Sequence, residues 1–144
     1  MHPRRILALV ALSTLAACAG QPGTAARPGG AAPAAAVERF MRLVETKNYR
    51  EMGSVFGTET GPVIDRDPVN EVEQRMYAIA NVLDHDRFVI RGEQPIPGRS
   101  GVAMRLMVDV TKGERTRQVP FVTVRSGDHW LVEQVDLERI TSDP

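Results

Sequence analysis

A single cysteine, Cys18, stands among 144 residues. That excludes a disulfide within the chain, and with it the small cysteine-stapled scaffolds, whatever the redox state of the compartment. Lysine is nearly missing as well, Lys47 and Lys112 being the only two, so arginine carries almost all the basic charge. Lys and Arg number 18 and Asp and Glu also 18, which leaves no cationic excess. A broad positive surface for nucleic-acid phosphates is therefore not available. The apolar run Ile6 to Leu15 is about half the ~20 residues needed to cross a hydrocarbon core, so a permanent membrane-spanning helix is a poor reading of it. Internal repeats are absent.

What is present at the N-terminus is a cationic start at Arg4 and Arg5, the apolar run, and small residues after it. These are the three zones of a secretion signal. The positive end stays on the cytoplasmic side, the apolar run partitions into the bilayer, and small residues fit a peptidase cleft. The sequence Leu15-Ala16-Ala17-Cys18-Ala19-Gly20 resembles the bacterial lipobox. The resemblance implies cleavage before Cys18, a signal peptide over 1–17, and acylation of the Cys18 thiol. One acyl chain holds a protein only marginally, and this modification supplies more than one. The partner it implies is a membrane, reached through covalent lipid on Cys18. Ala19 in place of Asp goes with the outer membrane, facing the periplasm, if the organism has two membranes. Loss of Arg4 and Arg5 leaves 16 basic against 18 acidic side chains, a mildly acidic mature chain.

Residues 18–36 join the lipidated cysteine to an Ala-, Gly- and Pro-rich stretch with one charge, Arg27. It cannot bury enough apolar surface to offset its ordering entropy, and reads as a spacer stiffened at Pro22, Pro28 and Pro33. Residues 37–141 read as one domain, with a tail over 142–144. Its first helix spans Ala34 to Lys47, with Val37, Phe40, Met41 and Val44 at the i, i+3, i+4, i+7 spacing of a buried face. Asn48 caps a second helix, Tyr49 to Phe56, which Gly57 ends. After an irregular segment over 57–66, Asp67 is expected to cap a third helix with Pro68 in its first turn. Val69, Val72, Met76, Ile79 and Leu83 give that helix its stripe, and it ends near His85.

Beyond Asp86 the period becomes two. Phe88 to Gly92 forms a strand, with Pro95 and Pro97 in the connection that follows. Lys112-Gly113 and Ser126-Gly127 read as two-residue hairpin turns. Counting back from them sets Met104 opposite Phe121 and Phe121 opposite Val132. Val102, Leu106, Val119 and Trp130 then share the inward face, as do Thr123, Gln134 and the pair Arg117 and Asp136. The fold class is α+β, three N-terminal helices on one face of a curved antiparallel sheet of about four strands.

The order of elements resembles the nuclear-transport-factor-2-like superfamily, a cystatin-like α+β cone. The resemblance rests on Ala36-Val37-Glu38-Arg39-Phe40, on Lys47-Asn48-Tyr49-Arg50-Glu51-Met52, and on Asp128-His129-Trp130-Leu131-Val132-Glu133-Gln134-Val135. It implies a pocket between sheet and helices, used by some members for isomerisation, cyclisation or dehydration and by others for binding. Ligand-lining residues in such a pocket would be Tyr77, Met104, Phe121, Thr123, Trp130 and Gln134.

An enzyme of that kind needs an inward carboxylate or imidazole and a donor for the developing oxyanion. The inward set holds no such pair, so no catalytic residue is assigned. Asp84 and His85 are the candidates that remain, because Asp84-His85-Asp86 sets an imidazole between carboxylates. A histidine there equally suits the negative end of the third helix. Glu59, Asp65 and Asp67 lack the spacing of a calcium loop, so no metal or cofactor is expected. The expected function is a membrane-tethered envelope domain, non-catalytic, binding a small apolar ligand or an envelope protein. A small isomerase- or cyclase-like enzyme is the alternative. Met107, Val122, Leu131 and Val135 on the outer face also suggest a homodimer.

Overall fold

The computed structural model describes residues 29–142. Cys18, the signal segment and most of the spacer lie outside the described residues. The described chain is α+β, with helices over 33–82 leading into a four-stranded antiparallel sheet whose strands lie side by side in chain order.

Helix α1, Pro33–Glu45, buries Ala36, Val37, Phe40, Met41 and Val44, the stripe that its spacing predicts. It closes in a Schellman turn. Asn48 N donates to Leu43 O and Lys47 N to Val44 O, each at 3.1 Å. Lys47 sits there at φ 55°, the only non-glycine with positive φ among the described residues. Asn48 then caps α2, Tyr49–Val55, accepting from Glu51 N at 3.2 Å. The capping side chain satisfies one of the free N–H groups that begin any helix.

The segment after α2 is more ordered than its glycines suggest. Gly57–Thr58 (β1) and Gly61–Pro62 (β2) pair, and a 3-10 turn follows over Val63–Asp65. Helix α3, Val69–Val82, buries Val72, Met76 and Ala80. Its cap corrects the expectation. Pro68 is the N-cap residue, in extended conformation and without a side-chain cap bond, while Asp67 pairs with Arg75. Proline at that position has no side-chain acceptor to offer, and Asp67 finds a guanidinium two turns along. Helices α2 and α3 approach closely at Gly53, where a Cβ would lie 2.4 Å from Val72 Cγ1.

Strand β3 runs Arg87–Pro95, β4 Ala103–Lys112, β5 Arg115–Ser126 and β6 His129–Val135. Pro95 therefore ends a strand, opposite Met104, rather than lying in a connection. Val102 precedes β4 and is exposed. Both hairpin turns lie one residue further along than expected, at Gly113-Glu114 and Gly127-Asp128. Gly113 and Gly127 have φ of 57° and 62°, and the residues after them do not have positive φ. Positive φ at the first central residue alone is the type II′ arrangement, which wants glycine in that place.

The register moves by two, so Leu106 faces Phe121 and Met104 faces Thr123. A shift of two keeps every side chain on its predicted face of β4 and β5. On β6 a bulge intervenes: Val122 pairs with Gln134 and Thr123 with Val132, leaving Glu133 unpaired in the ladder. Phe121 thus faces Val135, not Val132, and Gln134 turns to the outer side with Val122. A second bulge at Arg91 kinks edge strand β3.

The core lies between the helices and the inner sheet face. Phe40, Met41, Met52, Met76, Leu83, Leu106 and Phe121 are fully buried there. Phe40 meets Phe121 at 6.5 Å between centroids and 73°, edge to face. On the outer face Leu131 and Val124 are also fully buried. Leu131 is overlaid by the backbone of Gly29 and Gly57, where no Cβ would fit. Gly30 exchanges two hydrogen bonds with Trp130, of 2.9 and 2.8 Å, and Phe56 bridges to Val132. These additions cover the β6 edge at Trp130 and Val132.

Candidate functional site

The six residues expected to line a pocket do not converge. Phe121 and Thr123 are fully buried, Thr123 Oγ1 donating to Met104 O at 3.4 Å, and Met104 is half-buried against the core. Trp130 is half-buried at the far end of β6, opposite Arg125. Tyr77 is 53 % exposed on α3, edge to face with Tyr49 at 5.4 Å. Gln134 lies outside, on a groove of about 360 Å³ floored by Met107, Pro120 and Val122 and flanked by Arg105 and Arg139.

Asp84 and His85 separate as well. His85 is turned inward with no exposed side chain. Its Nδ1–H donates to Leu83 O at 2.7 Å, Nε2 lies 3.1 Å from Glu45 Oε1, and the ring stands edge-on to Phe88 at 5.5 Å. It is a strut between the end of α1 and the start of β3. Asp84 and Asp86 turn the other way, to Lys112 Nζ at 2.9 and 3.3 Å. The side chains either side of the imidazole thus bind a cation on β4 instead of the ring.

Asp84 does border a concave site. Between the end of α3, the β4–β5 hairpin and a last short helix, α4 (Glu138–Thr141), a cavity of about 170 Å³ opens to the surface. Its apolar part is Val82, Val110 and Ile140, and its polar part Asp84, Lys112, Arg115 and Arg117. Strand register explains how three cations come there. Leu106, Val108, Val110 and Lys112 alternate on the inner face of β4, and Arg115, Arg117, Val119 and Phe121 on that of β5. The apolar pattern stops and the charged one begins where α3 has ended, so the side chains reach water past the last turn of cover. Arg117 Nη1 donates to Ser142 O at 2.8 Å and holds the C-terminal segment over the opening. Asp136, expected to pair with Arg117, meets Arg139 at 3.8 Å.

The charges are uneven in their commitments. Asp84 and then Asp86 hold the Lys112 ammonium above its ordinary value. Asp86 is itself held below the usual carboxylate range, chiefly by the Gly113 N–H at 2.7 Å and then by Lys112. Lys112 is thus taken up by the rim. Arg115 and Arg117 add two guanidiniums to the lining, permanently charged and with several N–H donors each. Lys112, Arg115, Val82, Val110 and Ile140 were not among the expected site residues. The signal that marks them is the run of cations at inward positions beside the first hairpin.

Among the described residues no group of three or more His, Cys, Asp or Glu side chains is placed to hold a metal ion. No described helix is long and apolar enough to cross a membrane. Comparison with family models, curated proteins and solved structures returned no match.

Proposed function

We propose that this chain is a cell-envelope lipoprotein, tethered through lipid on Cys18, whose domain binds a small ligand at the mouth beside the β4–β5 hairpin without chemical turnover. The observation that carries the binding reading is the cavity of about 170 Å³, apolar within and cationic at its rim. Convergence of a few polar groups on an apolar concavity is the usual form of a ligand site. A nuclear-transport-factor-2-like cone, its helices closing one side of the sheet and its mouth at the sheet end, is the finer fold reading consistent with this layout. The enzyme alternative draws less support, because Lys112 occupies Asp84 and both nitrogens of His85 are engaged.

Three measurements test the proposal. Mass spectrometry of the chain extracted from membranes should find an acylated N-terminus at Cys18, and Cys18→Ser should move the protein to the soluble fraction; an unmodified Cys18 would end the anchor reading. Turnover of any small substrate that disappears in Asp84→Asn would end the non-catalytic one. A second copy meeting the outer sheet face is a further proposal, supported by the groove over Met107, Pro120 and Val122. Sedimentation of the chain as a monomer at micromolar concentration would overturn it.

A further inference from the structure

We infer that the chain carries a separate binding site on the solvent side of α3, where Tyr77 and the polar side chains around it take a ring of a neutral oligosaccharide. The site shares no residue with the mouth beside the β4–β5 hairpin, so either can fail without the other.

Helix periodicity assembles it. Val72, Met76 and Ala80 are the buried positions of α3, and Asn70, Glu73, Gln74 and Tyr77 follow one another at i, i+3, i+4 and i+7 on an adjacent side. Tyr49, the first residue of α2, completes with these four an open groove of about 350 Å³. An aliphatic cavity of about 150 Å³ holds one six-membered ring, so the groove has room for two linked ones.

The aromatic pair is exposed and yet fixed. Tyr77 is 53 % exposed, the most of any large apolar side chain among the described residues. Tyr49 packs on the core and meets it edge to face, with 5.4 Å between centroids and 89° between planes. Such a contact leaves uncovered both faces of the ring that supplies the edge, where a coplanar stack would hide one. A ring already held in place gives up little rotamer freedom on binding.

Hydrogen-bonding capacity then selects the ligand. The side chains of Asn70, Glu73 and Gln74 make no hydrogen bond or ion pair with another described residue. Each carboxamide offers an acceptor oxygen and N–H donors, whereas the carboxylate only accepts. A quaternary ammonium, which also suits aromatic faces, has nothing to accept the carboxamide N–H groups. A polyproline ridge, which docks in aromatic-lined grooves, brings only carbonyls and gives Glu73 no donor. Sugar hydroxyls donate and accept. The axial C–H groups of a pyranose with equatorial hydroxyls also form an apolar face that can lie on an aromatic ring. Among the described residues lining the groove Glu73 alone is charged, which disfavours an anionic sugar.

The chain holds two tyrosines, and both lie in this groove. Ring-labelled tyrosine in the purified full-length chain therefore reports the site alone by NMR. Titrations with cellotriose and with chitotriose, both built of rings with equatorial hydroxyls, should shift the ring signals saturably for at least one, with a Kd of about 1 mM or tighter. Tyr77→Ala, read through Tyr49, should weaken that binding about tenfold and Gln74→Ala about threefold, while Tyr77→Phe, which keeps the ring, should stay within about twofold of the parent. Both positions are exposed, so the variants should unfold nearly as the parent does. Sorbitol carries the hydroxyls without the ring face and should leave the signals unmoved. A response to sorbitol equal to that of the sugars, unchanged affinity in Tyr77→Ala, or no saturable shift with either trisaccharide would overturn the inference. Tighter binding of tetramethylammonium or of decaproline than of both sugars would overturn it as well, giving the groove to a cation or to a peptide.

Discussion

The inner face of the sheet has two ends built from the same two strands. In the middle, Leu106, Val108, Val119 and Phe121 are wholly dry beneath α1 and α3. Four residues further, Lys112, Arg115 and Arg117 occupy equivalent positions and carry full charges. Strand alternation alone does not distinguish them. Cover does: helix α3 ends at Val82, and only the four residues of α4 continue over the sheet. A charge with no covering layer keeps its hydration, whereas in the middle it would have to be paired or neutralised. The difference leaves packing at one end and hydrated charge at the other.

That division can be broken or sharpened by substitution. Phe121→Ala, at the covered end, should cost about 3–5 kcal/mol in urea unfolding, since the ring leaves a cavity between Phe40 and the sheet. A loss below about 1 kcal/mol would mean that the middle of the sheet is not a packed core. Gly53→Ala is expected to cost about 1–3 kcal/mol, because its Cβ would press on Val72 and a β-branched side chain has little room to yield. Arg117→Gln, at the open end, should move the unfolding midpoint far less than Phe121→Ala does, because no buried apolar surface is lost there.

Acid offers a gentler probe of the open end. Native contacts hold Asp86 below its ordinary value of 3.8. Its contribution is therefore complete above that value and disappears as pH falls through the lower, folded-state one. Asp86→Asn should flatten this acid limb of the stability profile, and identical limbs for parent and variant would refute the Gly113 and Lys112 contacts. The smallest effect concerns neither end: Lys47→Gly should raise stability by about 0.5–1 kcal/mol by relieving a left-handed residue. Thermal denaturation would show it as a small rise in Tm.

Several elements were legible from local pattern alone. The stripe of α1 and the Asn48 cap depend on residues within one or two helical turns, and they appear where the spacing sets them. Asp67 misled because sequence shows a capping side chain but not the competing partner, Arg75. The turns misled by one residue because glycine suits either central position of a hairpin, and its φ alone decides which. The bulge at Glu133 has no local signature. It re-aims Glu133 to Arg99, at 2.7 and 3.0 Å, and Arg99 also reaches Glu59 at 3.2 Å. Those contacts hold the β3–β4 connection against the β1–β2 hairpin, a contact between segments forty residues apart. Of the mouth, only Arg117 was read as inward and only Asp84 as chemically interesting, since Val82 and Ile140 join it through the ends of two distant helices.

By itself the sequence determined the buried stripe of α1, the cap of α2 and the parity of each face of β4 and β5, because these follow from periodicity and short-range sterics. Only the tertiary structure decided where helical cover stops, which edge receives Gly30, and which charges gather at the open mouth. Those depend on chain ends and bulges meeting across long separations, and no window of neighbouring residues contains that information.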